Sequence, residues 1–268
     1  ATPQEASGGD VHAGVRASLR PYFGRALNVP HVERAEGGAL NPSAAWAAWA
    51  AEAARGRSAV LDAALQPQVL QTLVGFFLEA TVWYHSEPAG HCLTARLQDG
   101  LHAELLLQVA SELLARAPPA LRRHRLTDVV AHKYDTESGS LGQLVPVAMP
   151  AAFSLALWTT PSAANLDPSR NGFVVHHAGP GDPVGAGDAG SRPSERQGPD
   201  PTDAPLASRA AGSTRVPYRQ NRLLLLHGGD SVRPDLNPRR WRAGYRHQRV
   251  DLWFLYDRGR SATGRIQK

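Results

Sequence analysis

The chain has 268 residues, of which 42% are hydrophobic, and a formal net charge of +5. This length allows one large domain or two small ones, and the apolar fraction is sufficient for a packed core. Because no run of about 18 apolar residues occurs, no transmembrane helix is expected, and the single cysteine, Cys92, excludes an intrachain disulfide framework.

The first half of the chain predicts helices that support a later core. An Ala-rich helix is expected over 44–55, after the helix-start signal Asn41-Pro42-Ser43, and its Trp46 and Trp49 share a face. Apolar residues at helical spacing predict two stronger helices, over 66–80 and 101–117. We assign residues 1–57 to an N-terminal extension and residues 58–258 to the main domain.

The second half of the chain has the amino-acid composition that is typical of short β-strands. Apolar, β-branched and aromatic residues recur there in short runs that are bounded by Gly, Pro and Asn. With two earlier runs included, this pattern predicts strands over 81–84, 92–97, 126–134, 143–149, 152–159, 173–177, 216–218, 222–227 and 245–256.

Residues 178–214 differ from both halves. They are dense in Gly, Pro, Asp and Ser and have almost no large apolar side chain. Such a segment cannot bury enough surface to offset its ordering entropy, so we predict a flexible insertion, and a tail over 259–268. Helices followed by short strands predict an α+β fold with an antiparallel core.

One stretch carries a family resemblance. LWTTPSAANLDPSRNGFVV, residues 157–175, resembles the 2-oxoglutarate and Fe(II)-dependent oxygenases, in particular their prolyl-hydroxylase-like branch. Four further pieces occur in the family's order, and together the matches cover about 60–177 and 215–258. The resemblance implies a double-stranded β-helix, that is, a jelly-roll barrel, buttressed by N-terminal helices. The four pieces are FLEATVWYH (77–85), HKYD (132–135), VPYRQNRLLLL (216–226) and GYRHQRVDLWFLY (244–256).

The resemblance also implies where iron ligands should stand. The family binds iron with a His-x-Asp pair and a distal His, which leave positions open for the co-substrate and O₂. The match places Val147, Met149 and Val232 at these three positions. Neither valine nor methionine replaces imidazole or carboxylate at a ferrous site. A shifted alignment does not supply the first pair, because residues 143–153 contain no His, Asp or Glu.

Two further sets of residues are relevant to binding of the co-substrate and of a metal. Arg249 matches the basic residue that holds the far carboxylate of 2-oxoglutarate in the family, and its other interpretation is a salt-bridged strand residue. A relocated metal site would have to be built from residues such as His176, His227 and Asp230, with each ligand atom about 2.0–2.2 Å from the metal.

The run over 233–249 is basic, with interleaved aromatic residues. This composition suits RNA or an acidic protein surface, and a solvated loop with internal ion pairs to Asp235 and Asp251 is the other interpretation. The residues expected to contact a partner are Arg233, Arg239, Arg240, Trp241, Arg242 and Arg246.

The leading interpretation is a catalytically inactive protein of this fold, without metal or co-substrate, that acts as a structural or interaction subunit of a larger assembly. The alternatives are an active Fe(II)/2-oxoglutarate dioxygenase with an unrecognised metal site and an RNA-associated module. The start at Ala1 is explained by removal of the initiator methionine, by cleavage of a targeting peptide or by trimming. Together with an assembly role, it favours an organelle, mitochondrion or plastid, over the cytoplasm.

Overall fold

The computed structural model describes residues 26–86, 92–136, 147–148, 151–178 and 212–258. The first 25 residues of the N-terminal extension, most of the insertion and the tail over 259–268 lie outside these residues. Within the described part, no helix has the length and apolar character needed to cross a membrane.

In the described ranges, three α-helices support the core. They are α1 (Trp46–Ala54), α2 (Pro67–Glu79) and α3 (Glu104–Arg116), each within a few residues of its predicted bounds. Helix α2 begins with proline at its first position, where a missing N–H costs nothing, and ends at Ala80, which is extended. Its apolar stripe packs with the other helices against one face of a sheet.

Eleven strands of the described part of the chain form two antiparallel sheets. The major sheet has the order β1-β9-β6-β11-β4-β3-β2 and the minor sheet the order β5-β10-β7-β8. The strands are β1 (Ala59–Leu61), β2 (His85–Ser86), β3 (Cys92–Arg96), β4 (His124–Tyr134), β5 (Val147–Ala148), β6 (Phe153–Trp158), β7 (Phe173–His177), β8 (Gly212–Val216), β9 (Leu223–His227), β10 (Ser231–Pro234) and β11 (Val250–Arg258).

The major sheet separates two apolar cores. In β6, Phe153, Leu155 and Leu157 belong to the core shared with the helices. Ala156 and Trp158 belong to the core between the two sheets. Because side chains alternate along a strand, both faces of β6 are buried.

Several predicted strands differ from the structure. The strand expected over 216–218 lies earlier, at β8, so residues 212–214 pair with β7 and do not belong to a flexible insertion. Residues 81–84 are not a strand, and the run over 245–256 starts with a 3₁₀ turn, Tyr245–His247, before β11. Strands β1 and β10 were not predicted, because three or four residues give too short a pattern.

Gly172 sits where β7 and β8 meet most closely. A Cβ atom on this residue would lie 1.9 Å from the carbonyl oxygen of Val216 and 2.7 Å from the backbone nitrogen of Tyr218. Both neighbours are backbone atoms, which cannot turn aside as a flexible side chain does. The absence of a side chain at Gly172 therefore allows this end of the minor sheet to close.

Replacing Gly172 by alanine is expected to lower the free energy of unfolding by about 3 kcal/mol, because the backbone must shift to admit the methyl group. Urea denaturation measures the change. The matched control is Gly75→Ala in α2, where a Cβ meets nothing within 4 Å. This control should raise stability by about 0.5–1 kcal/mol. Similar values for the two variants would contradict the tight approach at Gly172.

Candidate functional site

Two of the positions at which the resemblance implied iron ligands lie on strands of the minor sheet. Val147 on β5 and Val232 on β10 are direct partners in the register of the minor sheet. The side chain of Val232 is buried in the core between the sheets. Met149 lies outside the described residues. Two of the three degenerate positions are thus neighbours in space.

Arg249 lies at the start of β11 and is fully buried between the sheets. Its Nε and Nη2 atoms donate to the two carboxylate oxygens of Asp251 at 2.7 and 2.8 Å. Its Nη1 atom donates to the carbonyl oxygens of Asn171 and Gly172 at 2.9 and 3.2 Å. These four contacts include both arms of the guanidinium, so protein acceptors occupy its forked donor face.

Aromatic rings surround the buried guanidinium. Its central carbon lies 4.9 Å from the ring centroid of Phe173, 5.1 Å from that of Tyr134 and 5.5 Å from that of Tyr218. Trp158 adds a fourth ring at 5.7 Å. All four distances are in the range of cation–π attraction. The rings fill the space around the ion pair and keep it dry.

Electrostatics maintain the charged form of Arg249. Burial is the largest influence on the guanidinium and disfavours its charged form, whereas the charge and the hydrogen bonds of Asp251 act in the opposite direction, and the pKa of Arg249 is raised above its ordinary value. Burial also raises the pKa of Tyr134 and the pKa of Tyr218, so both phenols stay neutral. The interior of the barrel therefore holds a compensated ion pair among neutral rings.

Asp251 was not predicted as a partner of Arg249, although the sequence contains the signal. Residues two apart on a strand project to the same face, and Arg249 and Asp251 have this spacing. The sequence suggested only that Asp235 and Asp251 could neutralise the basic run internally. In the structure Asp235 pairs instead with Arg170 and Arg215, at 3.5 and 3.2 Å.

The residues considered for a relocated metal site occupy the ends of two strands and a turn. His176 is opposite Ser231, and His227 is the last residue of β9. The carboxylate of Asp230 accepts hydrogen bonds from the Ser58 hydroxyl at 3.0 Å and from the backbone N–H of His227 at 3.2 Å. In the described ranges, no three His, Cys, Asp or Glu side chains are grouped so that they could hold a metal ion.

The basic run is anchored to the barrel and is not a free arm. The backbone of Arg240 and Arg242 bonds to the loop that precedes β7, through Leu166 and Ala164. Trp241 is buried, and its ring packs edge-on against Tyr218 at 4.9 Å. Its indole therefore offers no face to a partner, contrary to its place among the expected contacts.

The arginines around Trp241 are the accessible part of this run. Arg239, Arg240, Arg242 and Arg246 are exposed and Arg233 is half-buried. In the part of the chain that the structure describes, the ion pairs of arginine involve other residues, and none of these four exposed arginines takes part in one. We call these four residues the arginine surface. It is a cluster of positive charge fixed on a rigid loop.

Lys133 is a buried cation that the sequence did not single out. Its Nζ atom lies 3.8 Å from the ring centroid of Tyr245 and 5.2 Å from that of Trp83. Burial lowers the pKa of Lys133 to about 8. Tyr245 is half-exposed and donates its hydroxyl to the carbonyl oxygen of Leu78 at 2.7 Å, so it covers the amine from the solvent side.

Neither a family model nor a curated protein matches the chain. Among solved structures, the non-heme α-ketoglutarate-dependent epimerase SnoN of nogalamycin biosynthesis is 15% identical, with 81% of this chain and 84% of that chain covered and a TM-score of 0.51. A 2OG-Fe(II) oxygenase-family oxidoreductase from Burkholderia pseudomallei is 12% identical over 89% of this chain and 100% of that chain, with a TM-score of 0.42. The likeness to SnoN shows the fold, so the predicted α+β fold with a double-stranded β-helix is confirmed.

Because Arg249 and Asp251 are paired in the interior, we expect a particular order in the stabilities of their single and double variants. Arg249→Leu and Asp251→Leu should each lower the free energy of unfolding by about 3–5 kcal/mol, because each leaves an unpaired charge buried. The double variant Arg249→Leu/Asp251→Leu should cost less than the sum of the two, since neither charge remains. Urea denaturation of all four proteins gives the coupling free energy.

The control is a comparable pair at the surface. Arg96 donates to Asp128 at 2.7 Å, but its side chain is 47% exposed. Arg96→Leu should cost at most about 1 kcal/mol. A cost for Arg249→Leu as small as that for Arg96→Leu would mean that the buried pair does not hold the interior together.

Proposed function

We propose that this protein is a non-catalytic relative of the prolyl-hydroxylase-like 2-oxoglutarate oxygenases and acts as a structural or interaction subunit of a larger assembly. The observation that carries the proposal is the state of Arg249. The residue that would hold the co-substrate is bound by Asp251 and by two backbone carbonyls.

Displacing Asp251 from Arg249 would be costly. A dicarboxylate that used Arg249 would leave the Asp251 carboxylate buried without its partner. Such an unpaired buried charge costs about 3–5 kcal/mol, which corresponds to a loss of roughly 10²–10⁴ in affinity. The rings of Phe173 and Trp158 also lie against the guanidinium, with their centroids 4.9 and 5.7 Å from its central carbon.

The positions expected to bind iron do not fit it either. Ferrous sites of this type require imidazole and carboxylate donors. Val147 and Val232 have only aliphatic side chains, and they are direct partners in the minor sheet. The absence of ligand side chains at the metal positions and the occupation of Arg249 by protein acceptors are separate features. Both favour a non-catalytic role.

One observation favours the alternative of an active dioxygenase with a relocated metal. The Nε2 atoms of His176 and His227 are buried and have no hydrogen-bond partner. Two unpartnered imidazoles are the type of ligand that iron uses. The third ligand of this alternative, Asp230, is already held by Ser58 and by backbone N–H groups.

Metal and co-substrate binding distinguish the two functions. The purified chain, equilibrated anaerobically with Fe(II) and 2-oxoglutarate and then desalted, should retain no stoichiometric iron and should form no succinate after O₂ is admitted. Iron is measured by plasma mass spectrometry and succinate by chromatography.

The variant His227→Gln is the matched test of the alternative. On the non-catalytic proposal, it leaves iron retention unchanged at background. Stoichiometric iron in the parent chain, with succinate formation that His227→Gln removes, would overturn the proposal.

The arginine surface is our candidate for contact with a partner. An acidic protein surface is favoured over RNA, because single-stranded RNA is usually bound by base stacking on aromatic side chains. Trp241 is buried, and Tyr245 is engaged by Lys133 and Leu78. The exposed arginines carry charge that is suited to bidentate contacts with carboxylates.

Replacing Arg239, Arg240 and Arg242 together by glutamine is expected to weaken binding of poly-glutamate about tenfold or more, because three exposed charges are lost. Fluorescence anisotropy with labelled poly-glutamate and labelled poly(U) measures both interactions across a salt series. Arg55→Gln/Arg57→Gln is the control, since these exposed arginines pair with Glu52 elsewhere on the protein. Tighter, steeply salt-dependent binding of poly(U) that the triple variant removes would identify the RNA-associated module instead.

A further inference from the structure

Lys133 has an unusual environment for a charged side chain. It lies on β4 and keeps only 4% of its surface accessible. Its neighbour Tyr134 faces the Arg249 guanidinium. Because successive residues of a strand project to opposite faces, Lys133 points to the other face of the major sheet, where Phe77 and Val250 belong to the core shared with the helices. This environment is therefore separate from the ion pair and from the positions at which iron was expected.

The ammonium group of Lys133 is buried without an anion beside it. In the described ranges its Nζ atom takes part in no ion pair or hydrogen bond, and it contacts the rings of Tyr245 and Trp83. Aromatic rings attract a cation, but they leave its three N–H donors without an oxygen acceptor. Burial lowers the pKa of Lys133 to about 8, and no neighbouring carboxylate opposes this effect. Buried charges are ordinarily paired, so the amine lacks a partner of opposite charge.

The side chains around this amine supply further hydrogen-bond donors. Lys133 lines a small cavity together with Arg246 and Gln248, and the described lining contains no Asp or Glu. Arg246 is exposed, Gln248 is half-buried and Tyr245 is half-exposed, so these three residues form the side of the cavity that faces solvent. The cavity thus combines two positive charges with an amide donor, and its described lining provides no negative charge to balance them.

The size of the cavity limits what it can take. Its volume is about 20 Å³, and a single water needs roughly 10–15 Å³, so it admits one small polar group and not a whole metabolite. A carboxylate at the end of a side chain meets this limit and offers oxygen acceptors to an ammonium and to a guanidinium. Arg246 belongs to the arginine surface as well as to the cavity. A partner segment bound to the arginine surface is therefore close enough to place one carboxylate at Lys133.

We infer that the cavity beside Lys133 is a carboxylate site, which takes the side chain of an Asp or Glu residue from an acidic protein partner. The carboxylate pairs with the Lys133 ammonium and with Arg246, and the amide of Gln248 donates to it. The identity of the partner rests on the proposed role as an interaction subunit, whereas carboxylate binding at Lys133 does not. The site adds a buried anchor to the contacts of the arginine surface, whose members are exposed.

Nuclear magnetic resonance of the full chain, labelled with ¹³C and ¹⁵N at lysine, tests the cavity alone. The chain has only two lysines, and the signal that titrates near pH 8 is that of Lys133. The pKa of Lys133, about 8 in the free chain, should rise to about 9 in sodium formate, because a tenfold preference for the charged amine raises it by about one pH unit. Sodium chloride at the same ionic strength is the control and should leave it unchanged.

Labelled poly-glutamate tests the partner at the same site. The parent chain should bind it about 5- to 10-fold less tightly at pH 9.5 than at pH 7, because Lys133 loses its charge over this interval. A guanidinium keeps its charge there, so Arg246 and the rest of the arginine surface give no such dependence. Lys133→Met, which keeps a similar length without the amine, should bind about tenfold less tightly at pH 7 and should show no change with pH. Fluorescence anisotropy measures both proteins.

The two probes separate this inference from the proposed function. A pKa of Lys133 that rises in formate, without any binding of poly-glutamate, would support the carboxylate site and overturn the role of the arginine surface. Equal pKa values in formate and in chloride, or poly-glutamate binding that Lys133→Met leaves unchanged at both pH values, would overturn the inference. If Lys133→Met fails to fold, the formate titration of the parent chain decides.

Discussion

The ion pair between Arg249 and Asp251 is the constraint around which the interior of this barrel is built. A charge taken out of water must be compensated, and here Arg249, directly before β11, is compensated by Asp251 within β11, two residues along the chain. The remaining donors of the guanidinium reach the chain that enters β7. The pair therefore joins the start of β11 in the major sheet to the segment that enters the minor sheet, in addition to the apolar packing between the sheets.

The short segment that enters β7 takes part in two separate contacts. Gly172 supplies one of the carbonyl oxygens to Arg249 and also allows the backbone of Val216 to approach. The ion pair fixes the position of the segment from inside, and the close backbone approach fixes it from the edge. Aromatic rings then close over the guanidinium, so that polar and apolar contacts determine one geometry together.

Much of the fold could be predicted from the sequence, and the site only in part. A long helix such as α2 and a strand such as β6 can be predicted from the periodic spacing of their apolar residues. Strands β1 and β10 are too short for such a period to be recognised. The valines at 147 and 232 could be placed by resemblance, but their pairing required the register of the sheet. The burial of Trp241 could not be foreseen either, because it depends on contact with Tyr218, which is distant in sequence.

The placement of Lys133 has a consequence for mapping any assembly that contains this protein. The chain has only two lysines, and one of them lies beneath the ring of Tyr245. Amine-directed cross-linking reagents therefore report little on the faces of the barrel that the structure describes, where Lys133 is the lysine present and is buried. Reagents directed at arginine or carboxylate side chains match the surface that this chain presents.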